Sequence, residues 1–353
     1  MTELAQPEPT KPDLSEPVQV QPEASAPGNS MAKQQVRRVL VVGREEGVHP
    51  PAPHARPAAP TTATAERVRG LLAQQGVEAI GLADLPLQVD ATGETQVCAA
   101  PGTQAIDFVL VIGGDGTILR ALELARQFDV PLVGVNTGHV GFLAEADPDA
   151  LEHVVTRVVA GDYTVETRMV VDVQVASPDG TTARSWALNE AALEKRDRAR
   201  MLEVAIGVDG QAVSSFGCDG LIMSTPTGST AYAFSGGGPI VWPDVDAMLL
   251  VPIAAHALFT RPLVVGPGSC LEIVVKHGGV DAAEVWCDGR RHLSVPAGSH
   301  ILVTRAAQPV RLARLNDAPF SQRLVAKLKL PVAGWRTGAP TAASPAAAPN
   351  EAT

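Results

Sequence analysis

A chain of 353 residues with 45% hydrophobic content can bury a core large enough for two domains, and its 28 basic against 38 acidic residues leave a formal charge of −10. That balance is the opposite of the basic footprint that grips a phosphate backbone, so nucleic acid is not the expected partner. The longest apolar runs, 108–112 and 248–255, are far shorter than the roughly 20 residues that span a bilayer, and the opening MTELAQPEPTKPDLSEP lacks the basic start and apolar core of a secretory signal. A cytoplasmic protein with no membrane partner is expected. Cys98, Cys218, Cys270 and Cys287 are too widely spaced for a zinc or disulfide framework and read as inert thiols.

In chain order, residues 1–35 are rich in Pro, Glu, Ala, Ser and Gln and cannot offset their ordering entropy by burial, so they read as a disordered tail. Residues 332–353 have the same character. Met31 stands just before the first apolar run and is a candidate alternative start. Residues 36–43 predict a buried strand, 45–60 a proline-rich loop, and 61–76 a helix capped by Thr61 or Thr62, with Ala65, Val68, Leu71 and Leu72 at helical spacing. A strand over 106–112, a turn over 113–117 and a helix over 118–128 with Ile118, Leu119, Leu122 and Ala125 on one face follow. A strand over 131–135 and a helix over 148–160 come next. Strands alternating with helices predict an α/β domain with a parallel sheet covered on both faces, over 36–160. Beyond it the period changes to two, as in Val171, Val173, Val175 and Leu202, Val204, Ile206, with Gly, Asp and Pro turns. This predicts a mainly antiparallel all-β domain over 161–308, a sandwich or a related architecture. Residues 309–331 are a candidate for returning to the first domain.

The most informative local feature is Gly113-Gly114-Asp115-Gly116-Thr117, at a strand-to-helix junction. Ligands of open α/β sheets bind at such carboxyl ends, glycines let the backbone approach phosphates, and a helix N-terminus favours anions. Gly113, Gly114, Gly116 and Thr117 are the candidate phosphate binders. A carboxylate there is costly beside phosphates unless it takes a proton or holds a metal, which makes Asp115 the candidate catalytic residue. The competing reading is a glycine turn in which Asp115 caps the helix.

Gly-Gly-Asp-Gly-Thr resembles the signature shared by NAD kinases and the diacylglycerol- and sphingosine-type lipid kinases, so it implies phosphoryl transfer without naming the acceptor. Lipid kinases usually place Asn-Glu almost directly after the motif, where this chain has Ile118, Leu119 and Arg120. Further segments resemble NAD kinases specifically. They are Asn136-Thr137-Gly138-His139-Val140-Gly141-Phe142-Leu143, the pair Asn189-Glu190, and Asp219-Gly220-Leu221-Ile222 running into Ser224-Thr225-Pro226-Thr227-Gly228-Ser229-Thr230-Ala231-Tyr232. The segment from His256 to Leu263 and Cys287-Asp288-Gly289 add to these, and together they span roughly residues 36–320.

The resemblance implies transfer to the 2′-hydroxyl of the adenosine ribose of NAD, giving NADP. It implies ATP, another triphosphate or polyphosphate as donor, and Mg²⁺ or Mn²⁺ as cofactor, with no protein ligand set assigned to it. A homo-oligomer, dimer or tetramer, is expected. Asn189 offers an amide donor and acceptor and Glu190 two acceptors, a complement for vicinal ribose hydroxyls. Thr227, Thr230, Ala231, Tyr232 and Ser235 are expected to line the NAD site with Asp219 and Arg200 nearby, and Asp115, Gly116, Arg120 and Phe142 complete the expected contacts. Arg200 also fits a solvated charged run, and Arg120 an exposed helix arginine. Val140, Gly236 and Ala254-Ala255 depart from the family pattern, as does Gly217, which leaves open how the NAD diphosphate is neutralised. A dehydrogenase would need G-x-G-x-x-G after the first strand, and Gly43-Arg44-Glu45-Glu46-Gly47 has the wrong spacing. A lipid kinase and a non-catalytic nucleotide sensor are the alternatives.

Overall fold

The structure is a computed structural model that describes residues 36–43, 61–98, 105–136, 141–146, 150–197, 199–257, 261–276 and 283–332. The tails, the 45–60 loop, the capping side chains of Thr61 and Thr62, the start of the 148–160 helix, and residues 137–140 and 258–260 of the family segments lie outside the described residues.

The first half of the chain runs β1 (Arg38–Gly43), α1 (Thr61–Gln74), β2 (Glu78–Ile80), β3 (Leu87–Val89), β4 (Thr95–Val97), β5 (Phe108–Ile112), α2 (Asp115–Phe128), β6 (Leu132–Val135), α3 (Leu151–Ala160) and β7 (Thr164–Arg168). Then come β8 (Val171–Ala176), β9 (Thr182–Ala187), β10 (Glu190–Lys195), β11 (Leu202–Val208), β12 (Gln211–Cys218), β13 (Gly220–Ser224), α4 (Tyr232–Ser235), β14 (Met248–Ile253) and β15 (Leu263–Val265). The chain closes with β16 (Leu271–Val275), β17 (Ala283–Cys287), β18 (Arg291–Val295), β19 (His300–Arg305), β20 (Val310–Arg314) and α5 (Phe320–Leu328).

The first sheet has the order β2-β1-β5-β6-β20-β7, parallel except for β7. Its central strands are apolar throughout because both faces are covered. Val39, Val41, Phe108 and Leu110 face Ala65, Val68 and Leu72 of α1 and Val154, Val155 and Val158 of α3. Leu40, Val42, Val109 and Val111 face Ile118, Ala121, Leu122 and Ala125 of α2. Burying each such aliphatic side chain contributes about 1.5–3 kcal/mol, and Leu122→Ala in this layer costs about 2–5 kcal/mol.

Two further six-stranded sheets, β15-β14-β13-β10-β17-β18 and β12-β11-β16-β19-β8-β9, are antiparallel at every join. They face each other across a shared core in which Val173, Val204, Ile273 and Ile301 meet Leu193, Leu221, Met223 and Val285. The period-two pattern is the inward half of this sandwich.

Two details differ from the sequence reading. α2 starts at Asp115 rather than at 118, because Gly114 in extended conformation serves as N-cap and the Thr117 and Ile118 amides already bond to its carbonyl. Residues 164–168, placed in the β-rich part by their position after α3, form β7 and pair with β20 in the first sheet. The segment expected to line the NAD site forms two consecutive short helical turns, Thr227–Thr230 and Tyr232–Ser235. No helix among the described residues is long and apolar enough to cross a membrane.

Candidate active site

The glycine turn proposed for phosphate is built on β5 and α2. The Gly113 amide bonds to the Val135 carbonyl of β6 at 2.9 Å, and a Cβ at Gly113 would come within 2.5 Å of the Thr117 hydroxyl oxygen. The first amides of a helix have no intrahelical acceptor, so the Asp115–Gly116 end of α2 presents donors to an anion. Asp115 does not cap its own helix. Its Oδ2 accepts from the Phe142 amide at 3.1 Å and its Oδ1 from the Leu143 amide at 3.2 Å, so the carboxylate is aimed at the 141–143 segment. A Cβ at Gly141 would lie 2.3 Å from Asp115 Oδ1, which is why this position needs glycine. Each carboxylate oxygen keeps a second lone pair.

Phe142 is braced from the far end of the chain. Its ring lies 5.9 Å from Phe320 of α5, which makes an edge contact with Trp242 at 5.2 Å. Arg323 donates to the carbonyls of Phe142 and Ala144 and to Glu145.

The second part of the site is the meeting of residues 188–190 with the turn after β13. The Asn189 carbonyl accepts from the Thr225 amide at 2.9 Å and the Ser224 hydroxyl at 3.1 Å, and a Cβ at Gly228 would collide with it at 2.0 Å. Thr225 donates its hydroxyl to the Leu188 carbonyl, and Thr230 donates to the Thr227 carbonyl. The Tyr232 amide donates to Glu190 Oε2 at 3.4 Å. Thr227 accepts from Arg168 at 3.2 Å. Asn189, Glu190, Thr227, Thr230, Ala231 and Tyr232 therefore share one region, with Tyr232 and Ser235 exposed.

Glu190 departs from the reading that gave it two acceptors. The residue is 7% exposed, and burial first, then the Asp288 carboxylate, push its pKa up to about 8 against the pull of the Tyr232 amide. Near neutrality it is a neutral acid with one donor. Asp219 sits between β12 and β13 in an ion pair with Lys195. Arg200 is exposed on a turn, 3.6 Å from Asp197. Arg120 is half-buried on α2, its pKa lowered by burial and by the neighbouring Arg290.

Two buried charge clusters back these loops, and the sequence reading gave neither a role. In one, Asp288 accepts from the Leu188 and Asn189 amides and from Arg291, which with Arg290 reaches Glu123 of α2. In the other, Glu166 joins Arg168 to Arg314, and Glu145 joins Arg314 to Arg323. In sequence the first shows only a glutamate inside the apolar run Leu122-Glu123-Leu124 and a double arginine after Asp288-Gly289, neither of which names its partner, and the second shows no local signal. Among the described residues no group of three or more His, Cys, Asp or Glu could hold a metal ion.

Residues 64–163 match the ATP-NAD kinase N-terminal domain, and residues 188–315 match the ATP-NAD kinase C-terminal domain. The NAD kinase of Thermobifida fusca is 54% identical over 264 residues, 74% of this chain and 80% of that protein. The NAD kinase of Mycolicibacterium paratuberculosis is 47% identical over 318 residues, 86% of this chain and 98% of that protein. A solved NAD kinase from Archaeoglobus fulgidus in complex with ATP aligns with a TM-score of 0.61 at 30% identity, over 83% of this chain and 98% of its own. Yeast NADH kinase complexed with NADH shares the fold, with a TM-score of 0.70 at 21% identity over 86% of this chain and 90% of that one. With both domain models matched in order and half of all positions identical across most of a relative's length, this chain belongs to the NAD kinase family.

Proposed function

We propose that the chain, an NAD kinase, divides its reaction between the two parts of the site. The glycine turn and the N-terminus of α2 bind donor phosphates through Gly113, Gly114, Gly116 and Thr117. Asn189, Glu190, Thr227, Thr230, Ala231, Tyr232 and Ser235 bind NAD, with Phe142, Arg120, Asp219 and Arg200 at its margins. The 2′-hydroxyl oxygen of the adenosine ribose forms a bond to the γ-phosphorus of ATP while the bond from that phosphorus to the β,γ-bridging oxygen breaks and ADP leaves. The hydroxyl proton passes to Asp115.

The observation that carries this reading is the Asp115 carboxylate fixed at the start of α2 by two backbone donors from 142–143, next to the phosphate turn. Among the described residues one carboxylate stands at the turn and no group of three His, Cys, Asp or Glu that could hold a metal is present, so an ion of the Mg²⁺ or Mn²⁺ kind would be held by Asp115 together with substrate phosphates. Such an ion neutralises phosphate charge when bound. Product analysis after incubation with NAD, Mg²⁺ and either ATP or polyphosphate tests the reading. NADP accumulating with ATP supports it, and NADP formed with polyphosphate alone would reassign the donor. Resemblance supports a cytoplasmic homo-oligomer, which fractionation and sedimentation would check.

A further inference from the structure

Arg291, the first residue of β18, is 1% exposed and is bound on three sides. Its Nη2 donates to Asp288 Oδ2 at 2.6 Å, its Nε lies 3.4 Å from Glu123 Oε1 of α2, and its guanidinium lies 3.9 Å from the centre of the Trp186 ring on β9. Arg126 of α2 approaches the same ring at 4.7 Å. Asp288 passes this arrangement on. Its Oδ2 accepts from the Leu188 amide at 3.0 Å, its Oδ1 accepts from the Asn189 amide at 2.7 Å, and its own amide donates to the Glu190 carbonyl at 2.9 Å. Three successive residues are thus referenced to Asp288, two through its carboxylate and one through its backbone amide, and that carboxylate through Arg291 to the helix that opens with the glycine turn.

Stability is a poor explanation for such an arrangement. Buried ion pairs are often neutral or unfavourable against apolar replacements of equal volume, and here Arg291 Nε and Nη1 lack good hydrogen-bond geometry to any acceptor. What the pair supplies is a fixed distance between two elements far apart in sequence. We propose that Arg291 is a positioning residue that, through Asp288 and Glu123, holds Asn189 and Glu190 in register with the phosphate-loop helix, so that capture of the acceptor nucleotide depends on it and capture of the donor does not.

This rests on the assignment of Asn189 and Glu190 to NAD, and the test separates the two. Steady-state kinetics with NAD and ATP varied independently are measured for Arg291→Met, Arg291→Lys, Asn189→Ala and the double variant Asn189→Ala/Arg291→Met, with folding checked by circular dichroism. Arg291→Met is expected to raise KM for NAD by about tenfold or more and to leave KM for ATP within about twofold, the pattern of lost acceptor binding. Arg291→Lys should recover part of this, since an ammonium can hold Asp288 without also spanning to Glu123. The double variant should be less than additive, because both changes act through Asn189. If Arg291→Met does not fold, Arg291→Lys and the charge-free pair Asp288→Asn/Arg291→Met carry the same test. Equal effects on both substrates, or a loss of thermal stability with both KM values unchanged, overturn the relay. If Asn189→Ala raises KM for NAD and the Arg291 variants do not, the relay alone falls. If Asn189→Ala leaves KM for NAD unchanged, the acceptor assignment falls and the relay with it.

Discussion

On the proposed assignment, the phosphate turn and the acceptor loops hold an anionic nucleotide by different means. The turn at 113–117 relies on backbone, a helix end and one carboxylate, and its parts lie within five consecutive residues. The acceptor loops rely on side chains assembled from β7, β9, β10, β13 and β18, backed by two sets of buried charge. Those sets also differ from each other. The cluster behind Asn189 pairs Glu123 and Asp288 with Arg290 and Arg291, whereas the cluster reaching Thr227 sets Glu145 and Glu166 against Arg168, Arg314 and Arg323. The first is balanced and suits geometric reference. The second carries one more cation than anion in a chain whose formal charge is −10, which on that assignment would lower the electrostatic cost of bringing the phosphates of NAD near Thr227.

If the turn is the side of chemistry and the braced loops are the side of recognition, substitutions should divide between kcat and KM. The largest effect is expected for Asp115→Asn, which keeps the size of the side chain and removes the base. Turnover should fall by about 10² to 10⁴ while NAD affinity measured by calorimetry persists. A folded variant that binds NAD normally and keeps more than about a tenth of kcat would refute the general-base role. Next is Asn189→Ala, expected to raise KM for NAD by about tenfold with KM for ATP little changed. Equal shifts in both would erase the division.

A smaller effect should appear with pH. Glu190 is held protonated up to about pH 8 in the folded chain, against an ordinary value of 4.5. Its contribution to stability is fully present below that ordinary value, declines as pH rises toward 8, and is constant above, because the folded state keeps a proton that the unfolded state has lost. KM for NAD should therefore climb as pH passes about 8, where the donor on Glu190 disappears. Glu190→Gln should bind NAD as the parent does at neutral pH and flatten the alkaline rise, and a parent-like rise in this variant would assign it to another group. The smallest effect is expected from removing residues 1–30, whose composition offers nothing for the core. NAD phosphorylation should be nearly unchanged, and a large fall in kcat would give that segment a role.

The comparison also explains what could be read in advance. The α/β class and the antiparallel domain were legible because each is written locally, in helical spacing or in period-two strands, and the Gly113–Thr117 turn was legible as a strand-to-helix junction because it lies in five adjacent residues. Helix α2 came out three residues short because glycine in its first turn reads as a break, although a helix start tolerates it. Strand β7 was out of reach because its partner lies beyond the whole sandwich. The buried charges behind Asn189 and Thr227 were illegible for a similar reason. Glu123, Arg291 and Arg314 are ordinary surface types in sequence, and only folding shows that each is buried against a counter-charge from another element, while Arg168 is buried beside Glu166 of its own strand. Glu190 could be found as a residue but not as a neutral acid, since its protonation follows from burial and from Asp288.

The sheet order has a consequence for synthesis. β20 lies between β6 and β7, and its antiparallel partner β7 ends at Arg168, which pairs with Val310 across the entire sandwich. As the ribosome delivers the chain, β6 and β7 emerge early with a gap between them that stays unfilled until nearly everything else has appeared. α5, which presses Phe320 onto Phe142 beside the carboxylate of Asp115, emerges later still. A nascent chain halted before Val310 therefore lacks the strand that joins β6 to β7 and the helix that steadies the 141–143 segment against Asp115. Kinase activity should appear late and all at once during translation, and the slow step in refolding should be the closing of this long-range strand insertion.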